Sequence, residues 1–87
     1  MDLKLTLYAR EALREGKLPK LISKQIWGSY GSGESCDLCQ RPIKAGEVLY
    51  EVEIDYKGVI HPCQFHLPCH NAWQRECKEL RDASNFR

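Results

Sequence analysis

The chain lacks any run of about 18 consecutive apolar residues, so a membrane-spanning helix is excluded on length. It also lacks the apolar stretch of a secretory leader. The opening MDLKLTLYAREALREGK is punctuated by charge, and no signal peptide is expected. Pairing of all its cysteines is ruled out too: five thiols cannot form a complete disulfide framework, so a reducing, cytoplasmic setting is the default expectation. The two signs of charge nearly cancel, with 13 Lys/Arg against 12 Asp/Glu. A net +1 over 87 residues removes the signature of an obvious nucleic-acid binder. The balance is mildly uneven, with six Lys/Arg against three acids in residues 1–27 and an excess of acid after them, a pattern that a solvated helix face explains.

What is present is one small domain with an N-terminal element. A chain of this length buries only about 60–65% of its unfolded surface, and domains with so little core often add a disulfide or metal staple. Five cysteines fit that need. Residues 1–27 read as an N-terminal helix and connector. Asp2 is a candidate N-cap and Gly16 a stop, which predicts a helix of about three turns over residues 3–15, with Leu3, Leu7, Tyr8 and Leu13 on one stripe. The opening LKLTL also alternates with period two, leaving a strand open for the first few residues. Docking of this helix on the rest is expected, since a lone helix of about 13 residues is marginal in water. Residues 28–35, GSYGSGES, read as a flexible Gly/Ser-rich loop carrying Tyr30 beside Trp27. Its glycines make no phosphate cradle, because no strand precedes them and no Gly-Lys-Ser/Thr helix start follows.

Residues 36–87 carry the sharper signals. Cys36-Asp37-Leu38-Cys39 is C-x-x-C, a spacing that turns two sulfurs toward one ion while backbone N–H groups face the thiolates. A hairpin follows: Val48, Tyr50, Val52 and Ile54 alternate with Leu49, Glu51, Glu53 and Asp55, Tyr56-Lys57-Gly58 forms the turn, and Val59 to Phe65 returns. Pro62 cannot donate to a ladder, which predicts an edge strand or a bulge. Pro68 then stands at a first helical position, and Cys69, Ala72, Trp73, Cys77 and Leu80 recur at helical spacing, predicting about four turns with Trp73 packed on the apolar hairpin face.

The stretch HPCQFHLPCH, His61 to His70, holds five possible ligands. His61, Cys63 and Phe65 share a strand face, which makes Cys63 most simply a buried small hydrophobe. His66 and Cys69 lie three apart and meet on one helical face, whereas Cys69 and His70 diverge by about 100°. Cys69 also sits in the first helical turn, where the dipole favours the thiolate. The reading is therefore a zinc site of Cys36, Cys39, His66 and Cys69, with a Cys2His2 set using His70 in place of Cys69 as the runner-up. A metal-free fold with five reduced thiols stays open. His61 and His70 otherwise read as ordinary surface or core histidines, and Cys77 as packed.

A C-x-x-C, a hairpin, then H-x-x-C opening a helix with an aromatic after it resembles a treble-clef zinc finger. The ligand order is similar to the first half of a LIM domain and to the zinc finger of poly(ADP-ribose) polymerases, whose layout the segment CDLCQRPIKAGEVLYEVEI…FHLPCHNAW matches. Over nearly its full length the chain also resembles a group of small bacterial proteins of uncharacterised role with a leading helix, an LP connector, a WG and Gly-rich loop, then C-x-x-C and H-x-x-C. The resemblance implies an α+β fold of knuckle, β-hairpin and C-terminal helix behind an N-terminal helix, with structural Zn2+. No second zinc module follows, however, and Glu51, Glu53 and Asp55 cluster where a DNA-break finger would be basic.

Three function classes are consistent with these residues. The first is a non-catalytic binding module for a protein partner, touched through Trp27 and Tyr30. The second is a nucleic-acid module using Lys17, Lys20, Lys24, Arg41 and Lys44 on phosphates. An enzyme would need a displaced ligand or a Cys63–Cys77 redox pair. A closed four-ligand shell leaves no substrate position and nothing else assembles a nucleophile, base and oxyanion group, so the expectation is a non-enzyme.

Overall fold

The computed structural model describes residues 3–20, 26–56 and 58–85. The chain is α+β, a small zinc-finger-like fold, in the order α1 (Leu3–Arg14), β1 (Ile26–Tyr30), β2 (Glu34–Ser35), β3 (Pro42–Ile43), β4 (Val48–Tyr56), β5 (Val59–His66) and α2 (Leu67–Asn85). Strands β1, β4 and β5 form one antiparallel sheet in the order β1-β4-β5, and β2 and β3 pair as a separate two-stranded ribbon.

The hairpin β4–β5 is the centre of the fold. Tyr50 pairs with Phe65 and Val52 with Cys63, which places these four side chains on one sheet face. Helix α2 covers that face: the Trp73 ring stacks on Phe65 with centroids 5.0 Å apart, and both are fully buried. The apolar alternation places Tyr50 and Val52 as expected, but Val48 is exposed and Leu49, on the face read as polar, is buried. Leu49 pairs with His66, so its face is the one that turns toward the C-x-x-C segment; the sheet is covered in part on both sides. Cys63 is only half-buried, because β5 is an edge strand. The turn expected at Tyr56-Lys57-Gly58 includes Lys57, which lies outside the described residues.

Helix α1 ends where Gly16 adopts φ 76°, a left-handed conformation that glycine takes without a Cβ penalty, and Lys17 N–H closes back on the Ala12 carbonyl at 2.9 Å. The helix packs against α2, but not through the expected leucine stripe. Thr6, Ala9, Ala12 and Leu13 are buried, whereas Leu3, Leu7 and Tyr8 are exposed, Leu3 by 69%. Three of the four buried side chains, Thr6, Ala9 and Ala12, are small, and Leu3, Leu7 and Tyr8 go to the periphery. Arg10 Nε sits 2.6 Å from the buried Glu76 carboxylate, and Arg75 donates to Thr6. The chain after α1 is fastened in turn, since the Pro19 carbonyl accepts from Trp73 Nε1 at 3.1 Å and from the Cys77 thiol at 3.6 Å. The N-cap proposed at Asp2 lies outside the described residues.

The Gly/Ser segment is not a flexible loop. Residues 26–30 form β1, paired with β4 from Ile26↔Val52 to Tyr30↔Val48, and Glu34–Ser35 form β2. Weak strand propensity at Gly28 and Ser29 is overridden by cross-strand pairing to a well-formed neighbour. Gly31 explains part of the glycine content: a Cβ there would fall inside contact distance of the Ile43 carbonyl oxygen and Cγ2, so only glycine lets the backbone cross β3 this closely.

Candidate metal centre

The C-x-x-C turn is built by its flanks. Ser35 pairs with Pro42, Cys36 N–H donates to the Arg41 carbonyl at 3.0 Å and Gln40 N–H to the Cys36 carbonyl at 3.0 Å, which close the chain into a tight loop around Asp37, Leu38 and Cys39. Gln40 pays for the closure with a φ of 65°. The loop is fixed to the sheet through Asp37, whose N–H donates to the Gln64 carbonyl at 2.8 Å and whose Oδ2 accepts from Gln64 N–H at 2.7 Å. Burial raises the Asp37 carboxyl pKa, against the lowering effect of the Gln64 hydrogen bond.

The other half comes from the β5–α2 junction. His66 ends β5 and Cys69 lies in the first turn of α2, so strand and helix together aim the two side chains back at the turn. Cys36, Cys39, His66 and Cys69 thus converge, with one potential ligand atom from each lying within 4.8 Å of every other. His66 Nδ1 is 3.4 Å from Cys39 Sγ and 3.8 Å from Cys69 Sγ. A tetrahedral ion with sulfur at about 2.3 Å and nitrogen at about 2.05 Å requires S···N separations near 3.6 Å, which the two His66–cysteine separations bracket. The four can hold a metal ion.

The surroundings favour the thiolate at Cys36 and the neutral thiol at Cys39 and Cys69. Cys36 is held down to about 4, first by the hydrogen bond it accepts from the Cys69 thiol, then by the N–H groups of Cys39, His66 and Leu38, against the opposing effect of burial. Cys69 is raised, chiefly as the donor of that same bond and then by burial; the two share a proton and titrate as a pair. Cys39 is raised, first by burial and then by the neighbouring Cys36 charge. A divalent cation among the sulfurs would relieve this crowding of negative charge. On its far side the His66 ring places Nε2 3.2 Å from the Pro42 carbonyl oxygen and 3.7 Å from Glu47 Oε1, an outer partner of the kind that fixes a ligating imidazole's tautomer. Neither Asp37 nor the Pro42 carbonyl was singled out from sequence. A backbone carbonyl leaves no signal there, and Asp37 stands inside the C-x-x-C as an ordinary loop residue.

The remaining candidates lie elsewhere. His70 is buried and faces the rings of Tyr50, Phe65 and Trp73, with its centroid 5.2 Å from Tyr50, so the alternative set using His70 in place of Cys69 is not assembled. Burial lowers its pKa, outweighing the Asn71 hydrogen bond, and its Nε2 has no partner among the described residues. The side chain of His61 lies outside the described residues. Cys77 is buried, and Cys63 is pushed up to about 11, first by burial and then by the Asp37 charge. Trp27 and Tyr30 are exposed by 46% and 73% but stand on opposite faces of β1, three residues apart, and form no single patch.

An open groove of about 910 Å³ runs beside the centre, with Cys39, His66 and Cys69 in its wall, Tyr8 and Val48 as apolar lining and Lys4, Arg41 and Lys44 as its bases. Among the described residues no helix is long and apolar enough to cross a membrane. No family model, curated protein or solved structure matches the chain.

Proposed function

We propose that the chain is a non-catalytic binding module stabilised by a structural zinc ion and that it acts by contacting another protein. The convergence of three cysteines and one histidine carries this reading, because that donor set suits zinc and fills a tetrahedral shell without leaving a position for substrate. Zinc held there would join the C-x-x-C turn to α2 and offset three thiolate charges. The succession of turn, hairpin and helix supports the treble-clef comparison, and a reducing cytoplasm is the compartment in which such thiolates persist.

A protein partner is favoured over nucleic acid by the placing of the bases. Arg41 and Lys44 line the groove beside the metal centre, Lys17 lines a second depression with Glu11, Glu15 and Asp37, and Lys20 a third with Glu76 and Glu79. Lys24 lies outside the described residues; among those described, these bases are divided between separate depressions, and Lys17 pairs with Glu15 at 3.8 Å. Exposed Tyr8, Val48 and Leu67 at the first groove supply the apolar contact that a protein surface uses. Native mass spectrometry of protein purified without added metal should show one zinc per chain. Anisotropy with labelled single- and double-stranded oligonucleotides should show no binding at low salt; tight binding that falls steeply as salt rises would instead assign the module to nucleic acid.

A further inference from the structure

The two edges of the three-stranded sheet are treated differently. Gly31 N–H donates to the Glu47 carbonyl at 2.9 Å, which sets the phase of the β1–β4 ladder: the backbone groups of Trp27 and Ser29 face β4, and those of Ile26, Gly28 and Tyr30 face outward. The same phase carried through β4 turns the groups of Pro62 and Gln64 outward on β5. That edge is blunted. Pro62 has no N–H to offer, and both outward groups of Gln64 are taken by Asp37. The β1 edge carries no such protection among the described residues. Its five residues, IWGSY, are all exposed and include no charge, no proline and no bulge.

We infer that β1 pairs antiparallel with β1 of a second copy of this chain about a two-fold axis at Gly28, joining the two sheets into one of six strands. The outward groups are spaced symmetrically about Gly28, so placing Gly28 opposite Gly28, and Ile26 opposite Tyr30 of the second copy, pairs every outward N–H with an outward carbonyl. Other registers leave some of them unpaired. The side chains suit the same frame. At the axis two glycines meet without a clash, a β-branched Ile26 lies against an aromatic Tyr30 on one face, and a large Trp27 against a small Ser29 on the other. A two-fold axis sets the strand against its own sequence, and an uncharged strand is the edge on which this brings no repulsion. Nothing in IWGSY selects a charged partner. Helix α2 lies over β4 and β5, away from the joining edge. The inference rests on the ladder and not on the metal reading.

Analytical ultracentrifugation of the full chain across a concentration series tests it. The mass should move from that of one 10.1 kDa chain toward twice that value as concentration rises. Ile26→Lys/Tyr30→Lys sets lysine against lysine at both ends of the junction and should weaken association about tenfold or more, whereas Ile26→Lys/Tyr30→Glu sets opposite charges there and should restore it. Zinc content and circular dichroism of each variant report folding separately. In the unaltered chain, amide exchange at Ile26, Gly28 and Tyr30 should slow with rising concentration, while Trp27 and Ser29, already bonded to β4, should not change. A single-chain mass up to the solubility limit would overturn the proposal and leave the edge to an extended segment of another protein. Association that ignores the charge arrangement, or exchange at Ile26, Gly28 and Tyr30 that ignores concentration, would overturn it as well.

Discussion

His66 Nε2 lies 3.2 Å from the Pro42 carbonyl oxygen while Nδ1 of the same ring faces the sulfurs of Cys39 and Cys69, so one imidazole joins the ribbon behind the C-x-x-C turn to the start of α2. Two consequences are measurable. Long-range proton–nitrogen NMR of the metal-loaded protein should show Nε2 protonated and Nδ1 as the ligand. His66→Ala should weaken zinc binding by more than about a hundredfold, beyond the roughly 10–100-fold that loss of an outer partner alone causes. Unchanged affinity would remove His66 from the centre.

Gly31→Ala should destabilise the fold by about 1–3 kcal/mol and loosen the metal centre with it, because the new Cβ would press on the Ile43 backbone in β3. Gly28→Ala, compared at concentrations where the chain is single, is the control for stability: within the chain its Cβ would meet only the Tyr50 ring at an ordinary 3.7 Å. Chemical denaturation of both variants compares them, and equal midpoints would contradict the close crossing.

Trp73→Ala should cost about 3–5 kcal/mol, since it removes the ring stacked on Phe65 and the donor to Pro19. Trp27→Ala, at an exposed strand position, should change stability by no more than about 0.5 kcal/mol. Denaturant midpoints at fixed zinc decide between them, and a reversal would mean that the tryptophans had exchanged roles.

The four converging side chains were legible because their spacing is local: two residues inside each pair, and a strand-to-helix junction marked by Pro68. The hairpin and α2 were legible for the same reason, through periodicity. β1 was not. Gly28 and Ser29 favour a loop, and only the partner β4, some twenty residues away in sequence, makes IWGSY a strand. The buried face of α1 is legible only at Leu13, because leucines outweigh alanines in any apolar stripe, yet Ala9 and Ala12 are the residues that are buried beside it. Leu49 was assigned to a polar face because nothing in its neighbourhood announces that the C-x-x-C segment returns to cover it.

Cys63 gives a pH-dependent signature. Its folded pKa, about 11, lies above the ordinary 9.0, so between those two pH values the folded state holds a neutral thiol where the unfolded chain holds a thiolate. The stabilisation this represents is complete below about pH 9 and is lost as pH rises toward 11. Stability of the unaltered protein should therefore fall more steeply over that window than stability of Cys63→Ala. Parallel pH profiles would place Cys63 in water.

The central claim, that a metal ion held by Cys36, Cys39, His66 and Cys69 keeps the C-x-x-C turn, the hairpin and α2 together, is tested most directly by metal analysis combined with NMR during chelation. Metal-binding free energy at such a centre is on the order of 10 kcal/mol and acts as folding free energy. One zinc per chain, with the dispersed signals of Val52, Phe65 and Trp73 collapsing as EDTA removes it and returning with added zinc, is the predicted result. A chain that contains no metal and keeps those signals unchanged in EDTA would contradict the account.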